Sequence, residues 1–113
     1  MKVIYKLLLI FFILSCYIKT QSHSIMSYNI RYDNHWDKNN SWESRKNYVA
    51  KLFVEYAPTV IGIQEGLINQ VQFIDSCLIN YDYIGVGRDD GREQGEFCAI
   101  YFDTTQYFIT SHS

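Results

Sequence analysis

The sequence predicts an α/β domain, and three observations carry that expectation. Val60-Ile61-Gly62-Ile63 is a short apolar run ended by Gln64-Glu65-Gly66, the pattern of a buried strand. Residues 24–30 form a second strand pattern, with Ile25, Ser27 and Asn29 on one face and Met26, Tyr28 and Ile30 on the other. Val49, Leu52, Phe53 and Tyr56, and later Leu67, Val71, Ile74 and Leu78, recur at helical spacing. Open α/β sheets gather ligand groups where strands end. Gln64 and Glu65 stand at such an end. A carboxylate there is desolvated unless a cation or donor faces it. Alternatively, Glu65 caps the following helix, whose N-terminus favours negative charge.

Length and composition bound the class. At 113 residues there is room for one small domain, and 48% hydrophobic and 17% aromatic content argue against disorder. A net charge of −2 argues against wide, nonspecific coating of nucleic acid but not against a site for a single phosphate group. Six glycines and one proline leave little scope for a long linker.

Residues 1–22 read as a leader and 23–113 as the domain. Lys2 and Lys6 precede the apolar run Leu7-Leu8-Leu9-Ile10-Phe11-Phe12-Ile13-Leu14, as in a secretory signal. The run is shorter than the roughly 20 residues a membrane span needs, so no transmembrane span is expected. Ile13-Leu14-Ser15-Cys16 resembles a bacterial lipobox, which makes Cys16 a candidate lipid anchor. Ordinary cleavage near Thr20-Gln21-Ser22 competes with it. Either route predicts an exported protein: periplasmic, extracellular or lipid-anchored at the membrane surface.

Asn29 ends the first strand, and its amide can bind a metal, steady a phosphate oxygen or tie down a loop. Residues 31–40 are polar and read as a loop. His35 lies near Asp33 and Asp37 without a metal-ligand spacing and is not taken as a ligand. A helix follows, with Asn40 as its cap and Glu43 three residues on. Arg45 lies near its first turn, where a cation is unfavourable, so a partner is expected. Pro58 ends the helix. Then come a strand over 59–63, a helix over 68–78 and a strand over 81–86. Gly87-Arg88-Asp89-Asp90-Gly91-Arg92-Glu93-Gln94-Gly95 is a charged turn, either a solvated hairpin or a substrate-contacting loop. Arginine suits the second role because its donors form a planar fork. Strands over 96–102 and 106–110 close the pattern, the last pairing through Asp103-Thr104-Thr105. Cys77 and Cys98 have no zinc-site spacing. An oxidising compartment permits a bridge between them, and geometry decides it.

The blocks Tyr28-Asn29-Ile30-Arg31-Tyr32-Asp33, Trp42-Glu43-Ser44-Arg45-Lys46, Ile63-Gln64-Glu65 and Gly85-Val86-Gly87-Arg88-Asp89-Asp90-Gly91, in this order, resemble the endonuclease/exonuclease/phosphatase family. The resemblance runs from about residue 24 onward and matches the N-terminal part of that family's domain. It implies the N-terminal half of a four-layer α-β-β-α sandwich of the DNase I-like type. It also implies a divalent-metal-dependent hydrolase of phosphate esters using Mg²⁺ or Mn²⁺. Glu65 would be the main metal ligand and Asn29 would assist, with Gln64 on the opposite face and outside the metal shell. Trp42 and Arg45 would have a structural or a phosphate-side role, and in the substrate-contacting reading of the charged turn Arg88 and Arg92 would lie near a phosphate. The substrate class stays open among nucleic acid, sugar phosphate, inositol phosphate and phospholipid head group. The family's later Gly-Asp-x-Asn and Ser-Asp-His motifs find no match here; Ser111-His112-Ser113 lacks the aspartate. These residues alone are therefore expected to be inactive, with one sheet face needing a cover. The alternative is a non-catalytic exported binding module or a decayed, truncated gene product.

Overall fold

Alternating apolar residues build a four-stranded mixed sheet in the order β1-β2-β4-β3. The strands are β1 (Ile25–Asn29), β2 (Val60–Gly66), β3 (Tyr81–Ile84) and β4 (Phe97–Asp103). They belong to a computed structural model that describes residues 22–111 together with Met1, Ile4 and Lys6. The predicted leader's apolar run and Cys16 lie outside the described residues. Among the described residues, no helix is long and apolar enough to cross a membrane.

β1 and β2 run parallel, with Asn29 opposite Gln64. A parallel pair needs a crossover, and helix α1 (Trp42–Tyr56) lies within it. β4 pairs antiparallel with β2 on one side and β3 on the other. Helix α2 (Ile68–Cys77) follows β2. Both helices contribute to one core. Trp42, Val49 and Phe53 of α1 and Val71 and Ile74 of α2 pack with Ile61, Ile63, Phe97, Ala99 and Tyr101 of the sheet. Phe53 meets Tyr28 edge-on, ring centroids 5.6 Å apart. Tyr101 is fully buried, and its hydroxyl donates to the Val71 carbonyl at 2.9 Å, tying β4 to α2.

The α/β class read from the sequence is the class observed. Of the four layers expected of the sandwich, the described residues form two, one sheet and one helical layer. The alternate strand residues face away from the helices. There Ile25, Ile84 and Ile100 are 80%, 37% and 43% exposed, an apolar surface without cover.

Four local expectations change, and the cysteine pairing left open above is decided. Ser41, not Asn40, is the N-cap of α1, because Asn40 ends a 3₁₀ segment (His35–Asn40) bent at Lys38, φ +46°. Residues 31–40 are thus partly helical rather than plain loop. Tyr56 is exposed, because Ala57 turns left-handed and closes the helix just ahead of Pro58. Residues 106–110 form no strand: β4 already has partners on both edges, and the Asp103 carboxylate holds Thr105 and Gln106 in a turn. Cys77 and Cys98 are both free. Cys98 sits on the uncovered face while Cys77 ends a helix on the other, so the sheet lies between the two thiols.

Candidate metal centre

The parallel register brings the ends of β1 and β2 to one level. Strict alternation would send Gln64 and Glu65 to opposite faces. Gln64 keeps to the alternation, but against the expectation that it points away from the site it lies on the face that Asn29 shares, because the parallel register sets the two side by side. Its Nε2 donates to Ser27 Oγ at 3.3 Å and to the Gly62 carbonyl at 3.2 Å. Glu65 does not. The β2–β4 register breaks between Ile63 and Gly66, and Glu65 takes a left-handed backbone, φ +61°. For a non-glycine residue that costs about 1–3 kcal/mol and recurs at functional sites. The turn brings Glu65 back to Asn29, whose Nδ2 donates to Glu65 Oε1 at 2.7 Å. The carboxylate thus goes to Asn29 rather than to the start of α2. There Gln70 serves instead, its Oε1 accepting the Leu67 N–H at 3.0 Å.

The exit from β1 is held just as firmly. Asn29 Oδ1 accepts the Arg31 N–H at 2.8 Å, and Arg31 is itself left-handed, φ +55°. Arg45 finds the partner its helix position calls for, as three backbone carbonyls. Nε donates to Asn40 at 2.8 Å, Nη1 to Ile30 at 2.8 Å and Nη2 to Arg31 at 3.3 Å. Its guanidinium lies over the ring of buried Trp42, which meets Phe73 edge-on. Arg45 is thereby joined to the Asn29–Glu65 region through the chain it clamps.

Arg88 is not brought to that pair. It bonds Glu96 at 3.0 Å and lies 3.6 Å from Asp89. Its loop does leave from the same end of the sheet, because Gly87 bridges to Phe97 and Phe97 pairs with Gly66. The loop is closely folded: Gly87 N–H donates to the Arg92 carbonyl, and Asp90 Oδ1 takes the N–H groups of Arg92 and Gln94. A Cβ on Gly87 would lie 2.2 Å from the Gln94 carbonyl oxygen. Gly87→Ala should therefore pry the loop open and cost about 1–3 kcal/mol, as overpacking does. Amide exchange at Asp89, whose N–H donates to Gln94, should speed up while that at Ala99 holds.

Arg31 and Asp37 form a bidentate pair, both contacts at 2.6 Å. That hydrogen bonding raises the guanidinium pKa and holds the Asp37 carboxyl below its ordinary 3.8. A lowered carboxyl pKa stabilises the fold above pH 3.8, and the contribution fades as pH falls through the lowered value. Loop loosening on acidification, followed by fluorescence of neighbouring Trp36, should be flattened by Asp37→Asn. An unchanged acid profile in that variant would remove the pair from the account.

Sequence reasoning missed Gln70, Asp37 and the structural role of Arg31. A signal for Gln70 exists: it stands three residues after Leu67, where a capping box places Glu or Gln.

The donor set fits Mg²⁺. Glu65 Oε1 is held by Asn29, while Oε2 has no hydrogen bond among the described residues. The Asn29 carbonyl oxygen keeps a second lone pair beyond its bond to Arg31. Mg²⁺ needs few protein oxygens and retains waters. Among the described residues there is no group of three or more His, Cys, Asp or Glu side chains, as a closed zinc cage would require.

No family model matches the chain, and no curated protein does. Solved structures do. An endonuclease/exonuclease/phosphatase from Bacteroides vulgatus is 39% identical, with a TM-score of 0.73, over 75% of this chain and 33% of its own. A mannosyl-6-phosphatase from Bacteroides thetaiotaomicron VPI-5482 is 34% identical, with a TM-score of 0.77, over 81% of this chain and 35% of its own. TDP2 from D. rerio, complexed with a single-strand DNA product, covers 74% of this chain and 30% of its own at 23% identity and a TM-score of 0.58; at that identity it shows the fold alone. The chain spans about a third of the length of the solved structures it matches.

Proposed function

Because this chain belongs to the endonuclease/exonuclease/phosphatase family, we propose that it carries the metal-side part of a Mg²⁺-dependent phosphate-ester hydrolase site. One observation supports this above the rest: Asn29 and Glu65 meet at 2.7 Å across two strand ends, with Glu65 in a left-handed backbone. A lone carboxylate at an open edge, held from one side by an amide, is suited to a cation on its other oxygen. Glu65 would be the principal ligand of Mg²⁺, or of Mn²⁺ in its place. Asn29 would hold Glu65 and steady a phosphate oxygen. Bound Mg²⁺ would polarise the phosphoryl oxygen and ease departure of the leaving oxygen. Arg45, spent on three carbonyls, acts through the loop it shapes. Arg88 reaches a phosphate only by exchanging its bond to Glu96.

A sugar phosphate is the favoured substrate class. The relative named a mannosyl-6-phosphatase is 34% identical, and the net charge of −2 does not favour a nucleic-acid track. The Lys-flanked apolar leader supports export. Intact mass of the exported protein should lack about the first 22 residues, and a diacylglycerol adduct on Cys16 would select lipid anchoring.

The test is hydrolysis of mannose 6-phosphate and of bis(p-nitrophenyl) phosphate, with Mg²⁺ and with a chelator, by residues 23–113 alone and by these residues within a complete domain of the family. The first should show no measurable turnover; turnover of the monoester by the second, abolished by the chelator and restored by Mg²⁺, is expected. Turnover that survives chelation overturns the metal assignment. Binding without turnover of either ester by the second returns the exported binding module.

A further inference from the structure

Gln70 is one of two buried polar residues among the described residues, and no part of its side chain reaches solvent. A buried amide must find partners, and this one finds three. Its Oε1 accepts the N–H of Leu67 at 3.0 Å and of Asp33 at 2.9 Å. Its Nε2 donates to the Arg31 carbonyl at 2.9 Å. Capping α2 would need only the first. The other two fall on the exit from β1, so a single side chain joins the loops that leave the two site strands.

We propose that Gln70 is a positioning residue for the metal centre: by gripping the Arg31 carbonyl it sets the amide of Asn29, and through it the carboxylate of Glu65. The inference rests on the metal reading above for its purpose, though not for its geometry. The Arg31 N–H takes Asn29 Oδ1 in a turn of the kind asparagine makes with a backbone two residues on. With Oδ1 so engaged, the amide presents its NH₂ side to Glu65. The reverse orientation would set an oxygen against a carboxylate. The Arg31 N–H shares a planar peptide with the Ile30 carbonyl, which Arg45 Nη1 holds at 2.8 Å. The Arg31 backbone just after it is left-handed, which an arginine adopts at a cost. Two donors fix the Arg31 carbonyl and so hold that backbone: Gln70 Nε2 at 2.9 Å and Arg45 Nη2 at 3.3 Å. The order of control runs from Gln70 and Arg45 to Arg31, from Arg31 to Asn29, and from Asn29 to Glu65.

Thr59 supplies the control. It is the other buried polar residue, it also ties two strands through its side chain, and its bonds to Ser24 lie at the opposite end of the sheet. The experiment uses the full-length protein with three variants: Gln70→Met, which removes all three bonds; Arg45→Lys, which keeps the charge but not the fork; and Thr59→Val. Two quantities are read: the NMR shifts of the Asn29 side-chain amide without metal, and the dissociation constant of Mn²⁺. Gln70→Met and Arg45→Lys should both move the Asn29 amide. Gln70→Met should weaken Mn²⁺ about tenfold, as loss of a group supporting a ligand does. Thr59→Val should change neither quantity, whatever stability it loses. If Gln70→Met does not fold, Arg45→Lys carries the same test from the other side of the carbonyl. Unmoved Asn29 signals in the folded variants, or an equal response in Thr59→Val, overturn the proposal. Absent Mn²⁺ binding in the wild type, with the Asn29 amide still moved by Gln70→Met or Arg45→Lys, overturns the metal reading alone and leaves the positioning role supported.

Discussion

Within a complete domain of the family, Glu65→Gln should cut turnover at least about 100-fold, beyond the 10–100-fold typical of groups that only support a metal ligand. The fold should stay intact, because the amide keeps an oxygen to accept the Asn29 Nδ2 hydrogen bond seen at 2.7 Å. What is lost is one negative charge beside the cation. Metal affinity should fall, and raising Mg²⁺ should recover part of the rate. Asn29→Ala should differ in kind. An amide carries no formal charge, so metal affinity should fall less, while turnover drops because Glu65 and the phosphate are less well held. The check is rate against Mg²⁺ concentration for the wild type and both variants. Were Glu65 only a helix cap, its replacement would cost about 0.3–1 kcal/mol of stability and leave the rate alone. An unchanged maximal rate and metal dependence in Glu65→Gln would sink the assignment.

Trp42→Ala should produce the largest loss of stability, about 3–5 kcal/mol. Trp42 is 1% exposed, meets Phe73 edge-on at 5.8 Å and lies beneath the guanidinium of Arg45. Removing it leaves a cavity between the start of α1 and α2. It also frees Arg45 to leave the Ile30 and Arg31 carbonyls, so the site should loosen together with the core. Small domains have about 5–15 kcal/mol in total, so this one substitution takes a large share. Urea unfolding followed by circular dichroism measures the cost. Trp42→Phe should lose less, because it keeps an aromatic face for Arg45. A loss below about 1 kcal/mol in Trp42→Ala would show that the first turn of α1 is not anchored by this ring.

Much of this arrangement was legible in the sequence. Alternation in β1 assigned Asn29 to the face it occupies, and the apolar run into Gln64 and Glu65 marked a strand end. The unfavourable position of Arg45 in the first turn announced a partner, and three carbonyls answer that need. Motif order identified the family to which the matched structures belong. These features follow from local periodicity and local electrostatics, which act within a few residues and so can be read along the chain.

Other features were decided only in three dimensions. The strand order β1-β2-β4-β3 gives β4 two partners, and that removes any edge on which residues 106–110 could pair. The break in register between β2 and β4 gives Glu65 its left-handed turn, against the alternation expected of a regular strand. The sequence marks Gln70 at most as a helix-capping residue; only the structure shows its amide joining backbone groups 37 to 39 residues away. The physical reason is the same in each case. A strained backbone or a buried polar group is tolerated only where distant hydrogen bonds over-determine it, and those partners are set by strand pairing rather than by neighbours in sequence.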